Sequence, residues 1–313
     1  VTALKVGVIG VGYLGRFHAQ KYLAIAGVEL VGVCDVRAAT GRAVARECGV
    51  EFFGDARDLF GRVDAVTIAT TTAAHFGLAK TFLEHGVHVL VEKPMTTSSA
   101  QGRELTALAE RAGLTLQVGH VERFNPALLA ALDKLGAARF IECHRLTPFR
   151  ARGADVNVVL DLMIHDLDVI LSLIAGSVVS VSAVGIPVLT NDIDIANARI
   201  EFDTGAIANV TASRVSMSAQ RKFRVFQRNQ YLSIDFDKGN VQLVTHQAAS
   251  DEREASLDEQ NWSLEKGDAL LAEVTAFVES VRDHLPCRVG GSDGVAALEL
   301  AESIVAEIER RDF

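Results

Sequence analysis

Lys93 stands between Glu92 and Pro94 at the end of a short apolar run, and farther along Asp161 and His165 are four residues apart. A lysine that is partly buried near another cation or an apolar wall has its pKa drawn toward neutrality, which suits it to take a proton from a hydroxyl. Oxidation of an alcohol needs such an acceptor, because a hydride leaves the carbinol carbon while its oxygen loses a proton. In a helix of about 100° per residue, Asn157, Asp161, His165, Asp168 and Ser172 fall in one stripe. Apart from Asp166, every other residue of 157–172 is Val, Leu, Ile or Met. Unpaired buried carboxylates are expensive, so a helix that is apolar nearly all round places its one polar ridge against a polar cleft. Neighbours at i and i+4 can both address one substrate carbon. Lys93 is therefore read as the base (the acid in the reverse direction). His165 hydrogen-bonds the reacting oxygen and Asp161 orients Lys93 and the substrate; the Lys and His roles can be exchanged. The plainer readings are a surface ion pair for Glu92 and Lys93 and a structural Asp–His pair at a domain contact.

A redox partner is implied upstream. Gly10-Val11-Gly12-Tyr13-Leu14-Gly15 follows a strand pattern and opens a helical one. In that context Gly10 permits a tight turn, Gly12 lets backbone approach a pyrophosphate, and Gly15 lets helix pack on strand. The helix N-terminus then offers its unpaired N–H groups to the phosphates. Asp35 ends the second strand, where a carboxylate accepts from both ribose hydroxyls of NAD and repels a 2′-phosphate. Arg37 beside it offsets part of that repulsion, so NAD is the expected cofactor and NADP the less favoured one. A ligand-free glycine turn, and Asp35 as a helix N-cap, are the structural alternatives.

The elements that must position these residues follow from hydrophobic periodicity. Short, doubly apolar strands are expected at 5–9, 29–34, 51–53, 65–69, 87–91 and 115–118, separated by helices at 16–26, 38–47, 75–85 and 98–112. That alternation predicts an α/β fold, a Rossmann doubly wound parallel sheet over residues 1–121. Lys93 then sits on the carboxyl edge of the fifth strand. Residues 122–313 predict a second, α+β domain for substrate binding and oligomerisation. It comprises a long helix at 155–175 and a large, mostly antiparallel open sheet from strands at 178–187, 195–203, 206–214, 221–227, 231–235 and 241–246. Residues 248–265 are polar and acidic and read as a solvated surface loop. Helices at 268–284 and 293–311 close the chain, the last packing back on the first domain. One face of the open sheet is free of helices and is expected to meet another subunit, as a homodimer or homotetramer.

The 313 residues carry a net charge of −9, 49% hydrophobic and 23% charged residues, as a globular enzyme does. An acidic chain repels phosphate backbones, so no nucleic-acid partner is expected. No stretch reaches about 18 apolar residues and no leader pattern opens the chain, which points to the cytoplasm and to no membrane role. The four cysteines lack metal or disulfide spacing, and His18, His85, His88, His144, His246 and His284 share no ligand spacing. No metal is expected.

Taken together, Gly10–Gly15, Asp35, Thr70–His75, Glu92-Lys93-Pro94 and the Asp161/His165 pair resemble the Gfo/Idh/MocA oxidoreductases over essentially the whole chain. The resemblance implies Lys93, Asp161 and His165 as catalytic residues. It implies Gly10, Gly12, Tyr13, Leu14, Asp35, Thr70, His75, Glu92 and Lys93 as cofactor contacts. Thr70-Thr71-Thr72 departs from the Thr-Pro-Asn or Thr-Pro-Ser common in the family. His75 opens a helix and serves equally well as a structural residue. Residues 119–126 (GHVERFNP) and 161–168 (DLMIHDLD) resemble a branch that oxidises the 3-hydroxyl of UDP-N-acetylglucosamine ahead of an aminotransferase. For the substrate side this implies His120, Arg123 and Asn125 beside Lys93, Asp161 and His165. Arg123 is suited to a diphosphate or to bridging domains, and Asn125 before Pro126 is also a helix start. Two other readings remain: a dehydrogenase of a free sugar, inositol or other polyol, and a non-catalytic NAD-binding sensor.

Overall fold

The structure, a computed structural model, describes residues 3–149, 156–247, 249, 255–264 and 267–311. The chain forms two compact units, Val1–Phe124 with Asp268–Leu298, and Asn125–Gly267 with Glu299–Phe313.

In the first unit six parallel strands, β1 (Leu4–Ile9), β2 (Val28–Cys34), β3 (Glu51–Phe53), β4 (Ala65–Ile68), β5 (His88–Glu92) and β6 (Leu116–Gly119), run in the order β3-β2-β1-β4-β5-β6. Strand order reverses between β1 and β4, so the loops leaving their carboxyl ends diverge and open a crevice. The helices α1 (Tyr13–Leu23), α2 (Ala38–Cys48), α3 (Thr72–Glu84) and α4 (Ser99–Ala112) connect the strands. α1 starts three residues before its expected position, at Tyr13 with Gly12 as N-cap, so Tyr13 and Leu14 form its first turn.

This unit does not end near residue 121. After the sheet of the second unit the chain returns to it as α7 (Ala269–Arg282), reached past α5 (Pro126–Leu132) and α6 (Ile164–Leu173). Val274, Phe277, Val278 and Val281 recur at i, i+3, i+4 and i+7 and join the core of Val6, Val8, Tyr22, Val33 and Leu90. Asp268 caps the helix by accepting the Leu271 N–H and pairs with Lys21 of α1 at 2.5 Å. The contiguous boundary expected from the sequence is corrected accordingly, because the apolar stripe of α7 packs against α1 and joins the core of the first unit. The last helix, α8 (Gly291–Glu309), is divided between the units after Leu298.

The second unit is built on eight strands: β7 (Phe140–Leu146), β8 (Val178–Ile186), β9 (Ile195–Phe202), β10 (Ile207–Ser213), β11 (Gln220–Gln227), β12 (Gln230–Asp235), β13 (Asn240–Gln247) and β14 (Ser256–Ser263), in the order β14-β13-β12-β11-β7-β10-β9-β8. Only the β7–β10 pair is parallel. β7 escaped the sequence reading because Glu142, His144 and Arg145 interrupt its apolar residues. Arg145 nevertheless faces inward, where Asp166 of α6 receives it through two bonds of 2.9 Å. The expected loop at 248–265 is also corrected. Residues 248, 250–254 and 265 lie outside the described residues, but Ser256–Ser263 is an edge strand paired with β13. A largely exposed edge strand needs no apolar face, so its polar composition hid it.

Candidate active site

The glycine loop leaves β1 at Gly10, whose φ of +83° is a left-handed value that glycine adopts freely. A Cβ on Gly15 would stand 2.0 Å from the Gly10 carbonyl oxygen, so α1 can close on the loop only where this side chain is absent. Gly12 faces open space, with only the Arg37 guanidinium within reach of an added Cβ. The result is a groove of about 930 Å³ lined by Gly10, Gly12, Asp35, Arg37, Asp55 and Thr70 among others. Asp35 is buried at the end of β2, and one of its oxygens accepts the Arg37 N–H at 2.8 Å. The N-cap of α2 is Arg37, so Asp35 is not the cap that a purely structural reading required. The Arg37 side chain is 69% exposed and its Nε lies 3.6 Å from Asp35.

Thr70 stands between this groove and the lysine turn. A Cβ on Gly10 would meet Thr70 Cγ2 at 2.6 Å, and from the Thr70 side His75 reaches back to its carbonyl at 3.2 Å. The other ring nitrogen, Nδ1, lies 2.9 Å from the carbonyl of Pro94. Burial holds the His75 pKa below its ordinary value, although both carbonyls and Glu92 work against it. A neutral ring carries one N–H, and the shorter contact makes Nδ1 the donor to Pro94. His75 thus holds the turn after β5 through Pro94, with its other ring nitrogen beside the Thr70 carbonyl. Lys93, joined to Pro94 by a cis peptide bond, is half-buried at that turn. Glu92 is buried beside it and receives the Lys93 N–H at 3.2 Å. His120, after β6, is fully buried and pushed down to about 3, first by burial and then by the positive charges of Lys93 and Arg123. It is a neutral ring at physiological pH.

Arg123 donates to the Arg288 carbonyl at 3.1 Å and stands 3.9 Å from Asp293. Asn125 caps α5 by accepting the Ala127 N–H at 3.0 Å. Both therefore have structural work in their own units.

Asp161 and His165 belong to the second unit. Residue 155, where the helix was expected to begin, lies outside the described residues. Val159–Met163 forms a single π turn that runs into α6, and Asp161 lies within that turn, half-buried, with His165 half-buried in the turn after it. Asn157 caps the start by accepting the Leu160 N–H at 3.0 Å. The uniform 100° stripe is corrected: the wider π turn rephases the ridge, Asp168 is buried and Ser172 is exposed. π turns inside α-helices recur at functional sites.

The sequence reading missed His18 and Glu273. Among the described residues, one group of His, Cys, Asp or Glu side chains is close enough to share an ion: His18, Glu92 and Glu273. Sequence spacing could not find it, since its members lie on three distant elements. The available signal was a histidine on the buried side of α1 and a glutamate in the middle of an apolar helix.

Comparisons with known proteins agree with this geometry. Residues 4–120 match an oxidoreductase family with an NAD-binding Rossmann fold, and residues 129–242 match the GFO/IDH/MocA C-terminal domain. A UDP-N-acetylglucosamine 3-dehydrogenase of Acidithiobacillus ferrooxidans is 37% identical over 98% of this chain and 99% of its own. A solved structure of that protein superposes with a TM-score of 0.92 at 36% identity, covering 99% of each chain. A scyllo-inositol 2-dehydrogenase (NAD(+)) of Bacillus subtilis is 32% identical over 68% of each chain. The enzyme is accordingly an NAD-dependent oxidoreductase acting on a hydroxyl-bearing carbon. Identity of 37% sustained over 98% of the chain, with family matches in both halves, is descent rather than convergence, and the chain belongs to the GFO/IDH/MocA oxidoreductases.

Proposed function

We propose that this enzyme oxidises the 3-hydroxyl of UDP-N-acetylglucosamine to a ketone, ahead of transamination. The observation that carries the reading is the match at 37% identity to a dehydrogenase of that name across 98% of the chain, both units included. The site chemistry supports it. The glycine loop and the N-terminus of α1 hold the dinucleotide diphosphate and Asp35 its ribose, a fit the open face of Gly12 and the buried carboxylate of Asp35 satisfy. NAD, when bound, supplies a two-electron acceptor for the hydride. Lys93 takes the hydroxyl proton, His165 hydrogen-bonds the same oxygen, and Asp161 orients the pair. His120, Arg123 and Asn125 serve the substrate side of this proposal, with Arg123 suited to a diphosphate.

Oxidation of a free inositol or polyol is the second reading, favoured by the 32% identity to the inositol dehydrogenase. Growth of NADH absorbance with UDP-N-acetylglucosamine, but not with free N-acetylglucosamine or inositol, is the expected result. Turnover of the free polyols alone sinks the sugar-nucleotide assignment. NAD binding with no turnover of any alcohol favours a sensor.

The same proposal places the enzyme in the cytoplasm as a homodimer or homotetramer. All four cysteines are free, and no helix of the described residues is long and apolar enough to cross a membrane. The sheet face turned away from Ile141, Cys143 and Arg145 is mostly polar rather than apolar along each strand. One apolar row nevertheless crosses it, Ile207, Phe140, Phe226, Tyr231 and Val244 on neighbouring strands. Its ring centroids lie 5.5 and 5.0 Å apart. Light scattering of Phe226→Glu is expected to show smaller particles than wild type; an unchanged mass means the row is not an interface.

A further inference from the structure

The π turn that carries Asp161 is held at its start by groups outside the helix. The Val156 carbonyl accepts from Nη1 of Arg214 at 2.7 Å, and the Val158 N–H donates to the Ile193 carbonyl at 2.9 Å. Between them, the Asn157 carbonyl accepts the Asp161 N–H at 3.0 Å. The first N–H groups of a helix have no partner within it, so its surroundings decide the direction in which it sets out. A single π turn adds to that need, because no run of like turns keeps it in phase.

Arg214 can anchor this start because it is itself fixed. It follows β10, its side chain is 5% exposed, and its Nε lies 2.7 Å from Oδ1 of Asp194. Asp194, fully buried just before β9, accepts the N–H groups of Val188, Leu189 and Thr190 on its other oxygen at 2.8, 2.6 and 2.8 Å. The carboxylate thus gathers the loop between β8 and β9 onto the guanidinium. Nη2 of Arg214 also reaches the Ile193 carbonyl, at 3.4 Å, so both holds on the helix start meet at this one side chain.

The far end has the same construction. Asp166 directly follows His165 and takes two bonds of 2.9 Å from Arg145 of β7, both side chains almost wholly buried. β7 and β10 pair in parallel with Leu146 opposite Ser213, so the two arginines come off the same end of neighbouring strands. A buried ion pair is a weak source of stability, since desolvation offsets the attraction. Two such pairs, one at each end of residues 156–166, fix instead the path of the backbone between them.

We propose that Arg214, backed by Asp194, and Arg145 are positioning residues for the reaction: they brace residues 156–166 at both ends and so set where Asp161 and His165 stand. The proposal rests on Asp161 and His165 serving catalysis. Lysine is no substitute at either position, because a single ammonium keeps the charge but lacks the planar fork that reaches two acceptors at once.

The test uses the full-length enzyme and the alcohol that it turns over best. Arg214→Lys should lower kcat about tenfold or more, since small misplacements of a catalytic group cost on that order. Hydrogen–deuterium exchange should quicken in the peptide covering 156–166, while peptides of the first unit keep their rates. In an Asp161→Ala background the same substitution should change kcat by about twofold or less, because residues that act through one another are not additive. A full, multiplicative loss in that background overturns the proposal, as does unchanged exchange at 156–166; either would leave the pair merely stabilising. Should Arg214→Lys fail to fold, Arg145→Lys paired with His165→Ala decides by the same readings. Wild-type turnover in Asp161→Ala would remove the catalytic reading and the positioning role with it, while the faster exchange in Arg214→Lys would persist. The two failures are thereby distinguishable.

Discussion

Lys93 is half-buried on a turn that His75 holds through the Pro94 carbonyl, so its backbone is held whether or not its side chain is present. Lys93→Met should therefore lower turnover by roughly two to four orders of magnitude, the usual worth of a positioned base. NAD affinity by titration calorimetry should remain within a few-fold. Loss of cofactor binding together with the fold would show the lysine to be structural. Asp35 poses a different question, because Arg37 is close but mostly exposed and free to swing toward a 2′-phosphate. Asp35→Ala should lower the ratio of kcat/KM for NAD over NADP by about tenfold or more, as the loss of a buried hydrogen-bonding discriminator does. An unchanged ratio would place discrimination elsewhere in the groove.

At the scale of elements, the strand–loop–helix around Gly10 and the lysine turn were readable because each is local: a short apolar run, then residues whose special geometry the next few positions declare. The same holds for β8 to β13, whose alternation survives in the sequence almost residue for residue. Long-range partnerships were not readable. β7 hides an inward arginine that only Asp166 of α6 explains, and the π turn at Val159–Met163 leaves no periodic trace in an almost uniformly apolar stretch. α7 is legible as a helix but not as a part of the first unit. Phe277 lies at its centre with no exposed surface. Phe277→Ala should cost about 3–5 kcal/mol in urea unfolding, and the loss should appear in the transition that releases NAD. A loss confined to the other transition would contradict the assignment of α7. In the second unit, burial opposes ionisation of Asp194, but the N–H groups of Leu189, Thr190 and Val188 and the Arg214 guanidinium outweigh it and depress its pKa. A carboxyl with a depressed folded-state pKa stabilises the fold above its unfolded value of about 3.9, and that contribution is lost as pH falls below it. Thermal melts from neutral pH downward should thus decline less steeply in Asp194→Asn, whose starting stability is lower. Parallel wild-type and variant curves would exclude the carboxylate from the acid response.

For the molecule as a whole, the two units are cut from an interleaved chain: the first needs residues on both sides of the second. α7 leaves the ribosome only after all eight strands of the other unit have been made. Until then Val6, Val8, Tyr22 and Val33 lack the helix that shields them. At ordinary elongation rates of about 5–20 residues per second, the nascent N-terminal sheet waits several seconds with a greasy flank uncovered. Trigger-factor-like holdases should crosslink to that flank in stalled chains ending before Asp268, and release it once stalling is moved past Leu298. The order of synthesis, rather than the stability of the finished enzyme, then sets when the newborn polypeptide needs protection.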